Sequence, residues 1–368
     1  MEIHEDVTSV ETGEQYEDSA TLLGNSVFDT LPWIAGRDDP ARLAYAKEHT
    51  VAHYLGTMLH GKKVYNLAYD GLTTEGVLGS DIVGRILSEE FGELWGDARH
   101  YIKARIGDEP VEVRPLEQLK ERIANHPNGT NWVAMAVEGN DFREKLGGNP
   151  LGLLREIAGV QQRYIEIADQ VRECGGTPIF AFQYRTDRTT SEPYDIYRLF
   201  DNIGKIAGVA TIGLAALGLI GAGSALISGL SLTSACMMAV GGLGLFGLHQ
   251  LVPLSTAEDL LSGKDMGVAL YGRLMERLYQ PMIEYAMKHK IAILDLPNTF
   301  NPNKSTNYTC EIEPSEEGSR LIAEGIAHIV ENHDPAGESR FYYKPFDGTE
   351  YQSRPATRSW KVEYPPAA

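Results

Sequence analysis

Residues 20–29 read Ala20-Thr21-Leu22-Leu23-Gly24-Asn25-Ser26-Val27-Phe28-Asp29. This is a short apolar strand that ends in glycine and runs into a polar turn. The same pattern returns four times. Val64-Tyr65-Asn66-Leu67-Ala68-Tyr69 is strand-like, Trp132-Val133-Ala134-Met135-Ala136-Val137 is a buried strand, and Pro178 to Tyr184 and Ile291 to Leu296 are two more. Helical patterns separate them, over 40–59, 116–125, 150–174, about 266–289 and about 316–331. Gly175-Gly176 stops the long amphipathic helix. Five strands alternating with helices predict an α/β fold, a parallel sheet covered on both faces. No internal repeat is visible.

Ile206 to Leu248 interrupts the alternation. These residues contain no Asp, Glu, Lys, Arg, His, Asn, Gln or Pro. One membrane crossing takes about 20 apolar residues, so the run is long enough for two. Gly221 to Gly229 supplies a small-residue turn. Glycines are costly in a soluble helix but common where membrane helices pack closely. The reading is an apolar, membrane-inserting helical hairpin over 203–250, set within one domain covering 20–336. A buried soluble hairpin, or a lid over an apolar groove, is the competing reading. A hairpin returns the chain to its starting side, so both flanks share a compartment. Residues 1–19 read as an acidic mobile tail. Residues 337–368, rich in aromatics and proline, read as an extended C-terminal tail whose aromatics pack on the domain.

Composition excludes several classes. The 368 residues carry 33 Lys and Arg against 51 Asp and Glu, a net charge of −18. Phosphate binding needs a basic stripe, so nucleic acid is not the expected partner. Part of the acidity is local, since residues 1–36 hold eight acids and no Lys or Arg. The rest of the chain is acidic as well. Cys174, Cys236 and Cys310 lie far apart and imply no disulfide framework, which fits a reducing, cytoplasmic compartment. The N-terminal stretch lacks the basic and apolar regions of a secretory signal. No metal or cofactor is implied. His49 and His53 have the spacing of a zinc motif without its glutamate, and Gly204-Lys205 does not complete a phosphate loop.

In an open parallel sheet, sites form outside the carboxyl ends of the strands. Three ends carry chemistry: Gly24-Asn25-Ser26, Asp70-Gly71-Leu72-Thr73-Thr74, and Glu138-Gly139-Asn140-Asp141. A serine hydroxyl can attack an ester carbonyl. The backbone N–H groups of Ser26 and Gly71, with the Asn140 amide, can stabilise the oxyanion. Each stretch alone reads as an ordinary turn. Their order and their placement after successive strands make the case.

These blocks resemble the SGNH, or GDSL-like, hydrolases, a family of esterases and lipases. The resemblance covers about 20–330 apart from the apolar run. It implies a flavodoxin-like sheet of about five strands in the order 2-1-3-4-5. It implies Ser26 as nucleophile, Gly71 and Asn140 as oxyanion donors, and Asn25 and Asp141 near the site. Asn25 stands where the family has aspartate. The final block departs further. The stretch similar to the family's Asp-x-x-His-Pro places Cys310 at the aspartate and Glu313 at the histidine. Imidazole is suited to moving a serine proton near pH 7. A carboxylate with an ordinary pKa of about 4.3 is a poorer base by roughly two units, a gap that burial narrows. Glu313 is one candidate base and a different histidine, His249 or His328, another. Loss of catalysis is the third outcome. Glu313-Pro314-Ser315 also reads as a helix start, with Ser315 as N-cap.

Two functions follow. One is a membrane-associated esterase or lipase that hydrolyses a carboxylic ester, including acyl-lipid esters, through an acyl-Ser26 intermediate. The other is a catalytically inactive scaffold that acts on a lipid membrane through residues 206–248, by oligomerising or perturbing the bilayer. Hairpin insertion without a signal also suits a translocated effector.

Overall fold

The computed structural model describes residues 18–31, 34, 40–79, 81–83, 111–141, 150–187, 266–309 and 313–365. By its contacts the chain divides into two units, Met1–Thr190 with Leu278–Ala368, and Ser191–Arg277. The acidic tail before Asp18 and the apolar run 206–248 lie outside the described residues. Among the described residues, no helix is long and apolar enough to cross a membrane.

The strands are β1 (Ser19–Gly24), β2 (Lys63–Asn66), β3 (Asp81–Val83), β4 (Val111–Val113), β5 (Asn131–Ala136), β6 (Gly176–Phe182), β7 (Ala292–Asp295), β8 (Arg340–Tyr343) and β9 (Gln352–Pro355). The helices are α1 (Pro40–Lys47), α2 (Val51–Met58), α3 (Thr74–Leu78), α4 (Pro115–Ala124), α5 (Pro150–Glu173), α6 (Met266–His289) and α7 (Glu316–Asn332).

The main sheet has seven strands in the order β2-β1-β5-β6-β7-β8-β9, and β3 pairs with β4 in a separate two-stranded ribbon. The five strands read from the sequence pair in parallel as 2-1-3-4-5 among themselves. The expected count of about five is therefore corrected to seven. The additions come from the segment read as an extended tail: β8 joins β7 in parallel and β9 closes the edge antiparallel to β8. A second difference lies at 40–59, read as one helix. The chain breaks at residues 48–50, where the Thr50 hydroxyl accepts the His53 N–H and starts α2 afresh.

Side chains alternate across the strands, so each face has its own core. Ala20, Leu22, Val64, Trp132, Ala134, Ile179, Ala181, Ala292 and Leu294 share a cluster with Val51 and Leu55 of α2 and Leu321, Ile322, Ile326 and Ile329 of α7. On the opposite face, the Tyr164 ring of α5 meets Phe180 edge-on, and its hydroxyl donates to the Met135 carbonyl at 2.8 Å. Tyr279 of α6 stacks on Phe182 at 3.9 Å, and Trp360, beyond β9, meets both rings. The aromatic C-terminal segment thus covers the strand ends near Phe182.

Candidate active site

β1 stops at Gly24 because the next strand comes very close. A Cβ at Gly24 would lie 2.5 Å from the Ala136 carbonyl oxygen. Asn25 then donates its N–H to that oxygen at 3.0 Å. The Asn25 carbonyl accepts from Phe28 and Asp29, and its side-chain Oδ1 accepts the Val27 N–H at 3.1 Å. This tight turn presents Ser26. An asparagine oxygen makes this turn contact as an aspartate oxygen would.

Hydrogen bonds tie this turn to the loops after β2 and β5. Gly24 O accepts the Tyr69 N–H at 2.9 Å, and Asp29 Oδ2 accepts the Asp70 N–H at 2.9 Å. Gly71 follows with φ of +87°, a conformation that favours glycine. Asn140 Nδ2 donates to the Leu72 carbonyl at 3.1 Å. Asp141 accepts from the Thr74 N–H at 2.9 Å, the Thr74 hydroxyl at 2.7 Å and Arg163 Nη2 at 3.0 Å. Burial raises the Asp141 carboxyl, and the Thr74 and Arg163 contacts oppose that rise. Arg163 also binds Glu156 and Glu75, so one guanidinium from α5 braces the start of α3.

Ser26, Gly71 and Asn140 therefore sit on three mutually bonded loops at the carboxyl ends of adjacent strands. The Ser26 hydroxyl makes no hydrogen bond among the described residues, although only 7% of the residue is exposed. The Ser26 and Gly71 N–H groups are likewise unused there, and one Asn140 amide hydrogen remains.

Glu313 is fully buried. It lies just before α7, where Tyr308 bridges to Pro314 and the Glu313 carbonyl accepts the Thr309 N–H at 2.9 Å. Ser315 accepts the Gly318 N–H at 3.1 Å and caps α7. No hydrogen bond joins Glu313 to Ser26, so the structure does not assemble that pair as it does the three loops. Cys310 and His249 lie outside the described residues. His328 sits on α7 against Tyr342 and Tyr351, a helix-face position. Among the described residues, no group of His, Cys, Asp or Glu is arranged to hold a metal ion.

Two further carboxylates stand at the same sheet edge. Glu138, directly after β5, is 1% exposed. Its Oε1 accepts the Tyr279 hydroxyl at 2.8 Å and the Gln183 N–H at 3.2 Å, and its Oε2 accepts the Val137 N–H at 3.0 Å. Burial pushes its pKa up to about 7 despite those donors. Asp295 ends β7, fully buried, and burial pushes it up to about 6. Its Oδ2 accepts the Trp360 ring N–H at 2.8 Å and the Asn298 amide at 2.9 Å, with Arg354 3.6 Å away. The sequence reading passed over both as catalytic or positioning groups. The available signal was a carboxylate set directly against a buried apolar strand. Against known proteins, no family model matches the chain, and no curated protein is significantly similar to it.

Proposed function

We propose that the protein is a serine ester hydrolase of SGNH, or GDSL-like, type, on a flavodoxin-like scaffold. The observation that carries this reading is a set of unused donors on loops bonded to the turn that presents an unbonded hydroxyl. The Ser26 N–H, the Gly71 N–H and one Asn140 amide hydrogen stand on three bonded loops around Ser26. Attack by Ser26 Oγ on an ester carbonyl forms a tetrahedral intermediate whose oxyanion takes these donors. Collapse expels the alcohol and leaves acyl-Ser26, which water then hydrolyses. Glu313, buried just before α7, is the proposed base. The apolar run 206–248 supports a substrate class of acyl-lipid esters at a membrane surface, with the hydrolase domain in a reducing compartment.

The test is turnover of short-chain and long-chain acyl esters by wild type, Ser26→Ala and Glu313→Ala. Loss in both variants supports the assignment. Loss only in Ser26→Ala keeps the nucleophile and moves the base to a histidine. Turnover that survives Ser26→Ala rules out the mechanism.

One observation favours a second reading. Ser26 lacks a hydrogen-bonded base, which suits an inactive scaffold acting on the membrane, or oligomerising, through residues 206–248. A folded protein without ester turnover that makes liposomes leak, and stops doing so when 206–248 becomes a short polar linker, supports that alternative.

A further inference from the structure

We propose that Glu138 is a positioning residue: by gathering three donors on a buried carboxylate it fixes the loop that carries Asn140, and its protonation loosens that loop. The inference rests on the hydrolase reading and extends it to a second, pH-dependent control of the oxyanion donor.

Asn140 is held on one side by its bond to the Leu72 carbonyl and by the neighbouring Asp141–Thr74 contacts. Glu138 holds the other side. Its carboxylate joins its own backbone at Val137 to the end of β6 at Gln183 and to α6 at Tyr279. All three partners are donors, and an ionised carboxylate offers only acceptors. A proton placed there introduces a fourth hydrogen among donors. Only the Tyr279 hydroxyl could turn to accept it, and in turning it withdraws its own hydrogen from the carboxylate. Protonation therefore costs Glu138 one donor and removes the charge that strengthens the other two bonds.

The groups that face Glu138 sharpen the point. Tyr279 comes from α6 and Tyr164 from α5, and both are phenols. Burial raises the Tyr164 hydroxyl, and the nearby Glu138 charge raises it further. Among the described residues no cation pairs with Glu138. Asp141, on the same loop, is braced by Arg163. Glu138 is thus the member of the loop whose charge changes in the neutral range, as its value of about 7 indicates.

A misaimed oxyanion donor weakens the transition state more than the bound substrate, so kcat falls while KM changes little. The experiment is the pH profile of kcat and KM on a soluble short-chain acyl ester, for wild type, Glu138→Gln, Tyr279→Phe and Ser26→Ala. Wild-type kcat is expected to rise through about pH 7. Tyr279→Phe removes a bond that holds the Glu138 pKa down, so this limb moves to higher pH. Glu138→Gln flattens the limb and lowers kcat about tenfold, well short of the 10²–10³ typical of deleting a donor outright, with KM within about twofold. Hydrogen exchange over residues 136–141 is expected to quicken in Glu138→Gln. An unmoved limb in both variants, with turnover still dependent on Ser26, overturns the role of Glu138 alone. Unchanged exchange overturns it whether or not ester is turned over. Absence of Ser26-dependent turnover in wild type overturns the hydrolase reading instead.

Discussion

Glu138 and Asp295 take up protons on folding, because burial raises each above its unfolded value of 4.5 or 3.8, to about 7 and about 6. Between those limits the folded chain binds more protons than the unfolded one. The associated stability is complete below the unfolded values and is lost as pH rises through the folded ones. The Glu138 step alone amounts to at most about 3 kcal/mol. Urea midpoints at about pH 5 and about pH 8 are expected to differ accordingly, lower at the higher pH, with a smaller difference in Glu138→Gln. Gly24→Ala makes a sterically direct case. The added methyl meets the Ala136 carbonyl oxygen and forces β1 from β5, which is expected to cost about 1–3 kcal/mol in a denaturation curve. The placement of Ser26, Gly71 and Asn140 after successive strands was legible in the sequence, because each strand has a recognisable apolar pattern. Glu138 and Asp295 were not, since the side chains that enclose them include Tyr279 and Trp360, far along the chain.

At the scale of elements, the helix starts were the most readable features. Ser315 caps α7 through the Gly318 N–H, and Glu316 and Glu317 fall in the first turn. Ser315→Ala is expected to cost about 1 kcal/mol in thermal or chemical denaturation, leaving the fold unchanged. The split of 40–59 into α1 and α2 had a local signal in Thr50, a preferred N-cap residue, which the continuous apolar periodicity masked. β3 and β4 are three residues each, too short for alternation to register. β8 and β9 looked like tail because the segment that holds them mixes aromatics with prolines. Only the open edge of β7 decides that Phe341 and Tyr342 lie in a sheet.

For the whole molecule, those last strands close one side of the structure. β8 covers the edge of β7, and Trp360 and Arg354 cover Asp295. A chain ending at residue 336 would expose that edge and leave a buried carboxylate without its Trp360 donor. Size-exclusion chromatography is expected to show aggregation of the truncated chain beside a well-behaved full-length protein. That β1, β2, β5, β6 and β7 pair in parallel was readable from the alternation of strand and helix, whereas their order was implied only by the resemblance. The Glu313 question was not, because a resemblance in sequence fixes a position along the chain and says nothing of which side chain reaches the serine.

The pairing of β6 with β7 has a kinetic consequence. Phe182 sits beside Asp295, yet roughly a hundred residues of chain lie between them. The two strands can meet only after a very long loop has closed, and half of the sheet waits on that event. Replacing residues 191–265 with about ten residues, which keeps α6, lowers the closure cost by about 0.8 kcal/mol. The shortened chain is expected to refold faster in stopped-flow measurements while unfolding at a similar rate. The same pairing makes the ordinary chain vulnerable during synthesis, since β1, β5 and β6 emerge well before the strand that completes their neighbour.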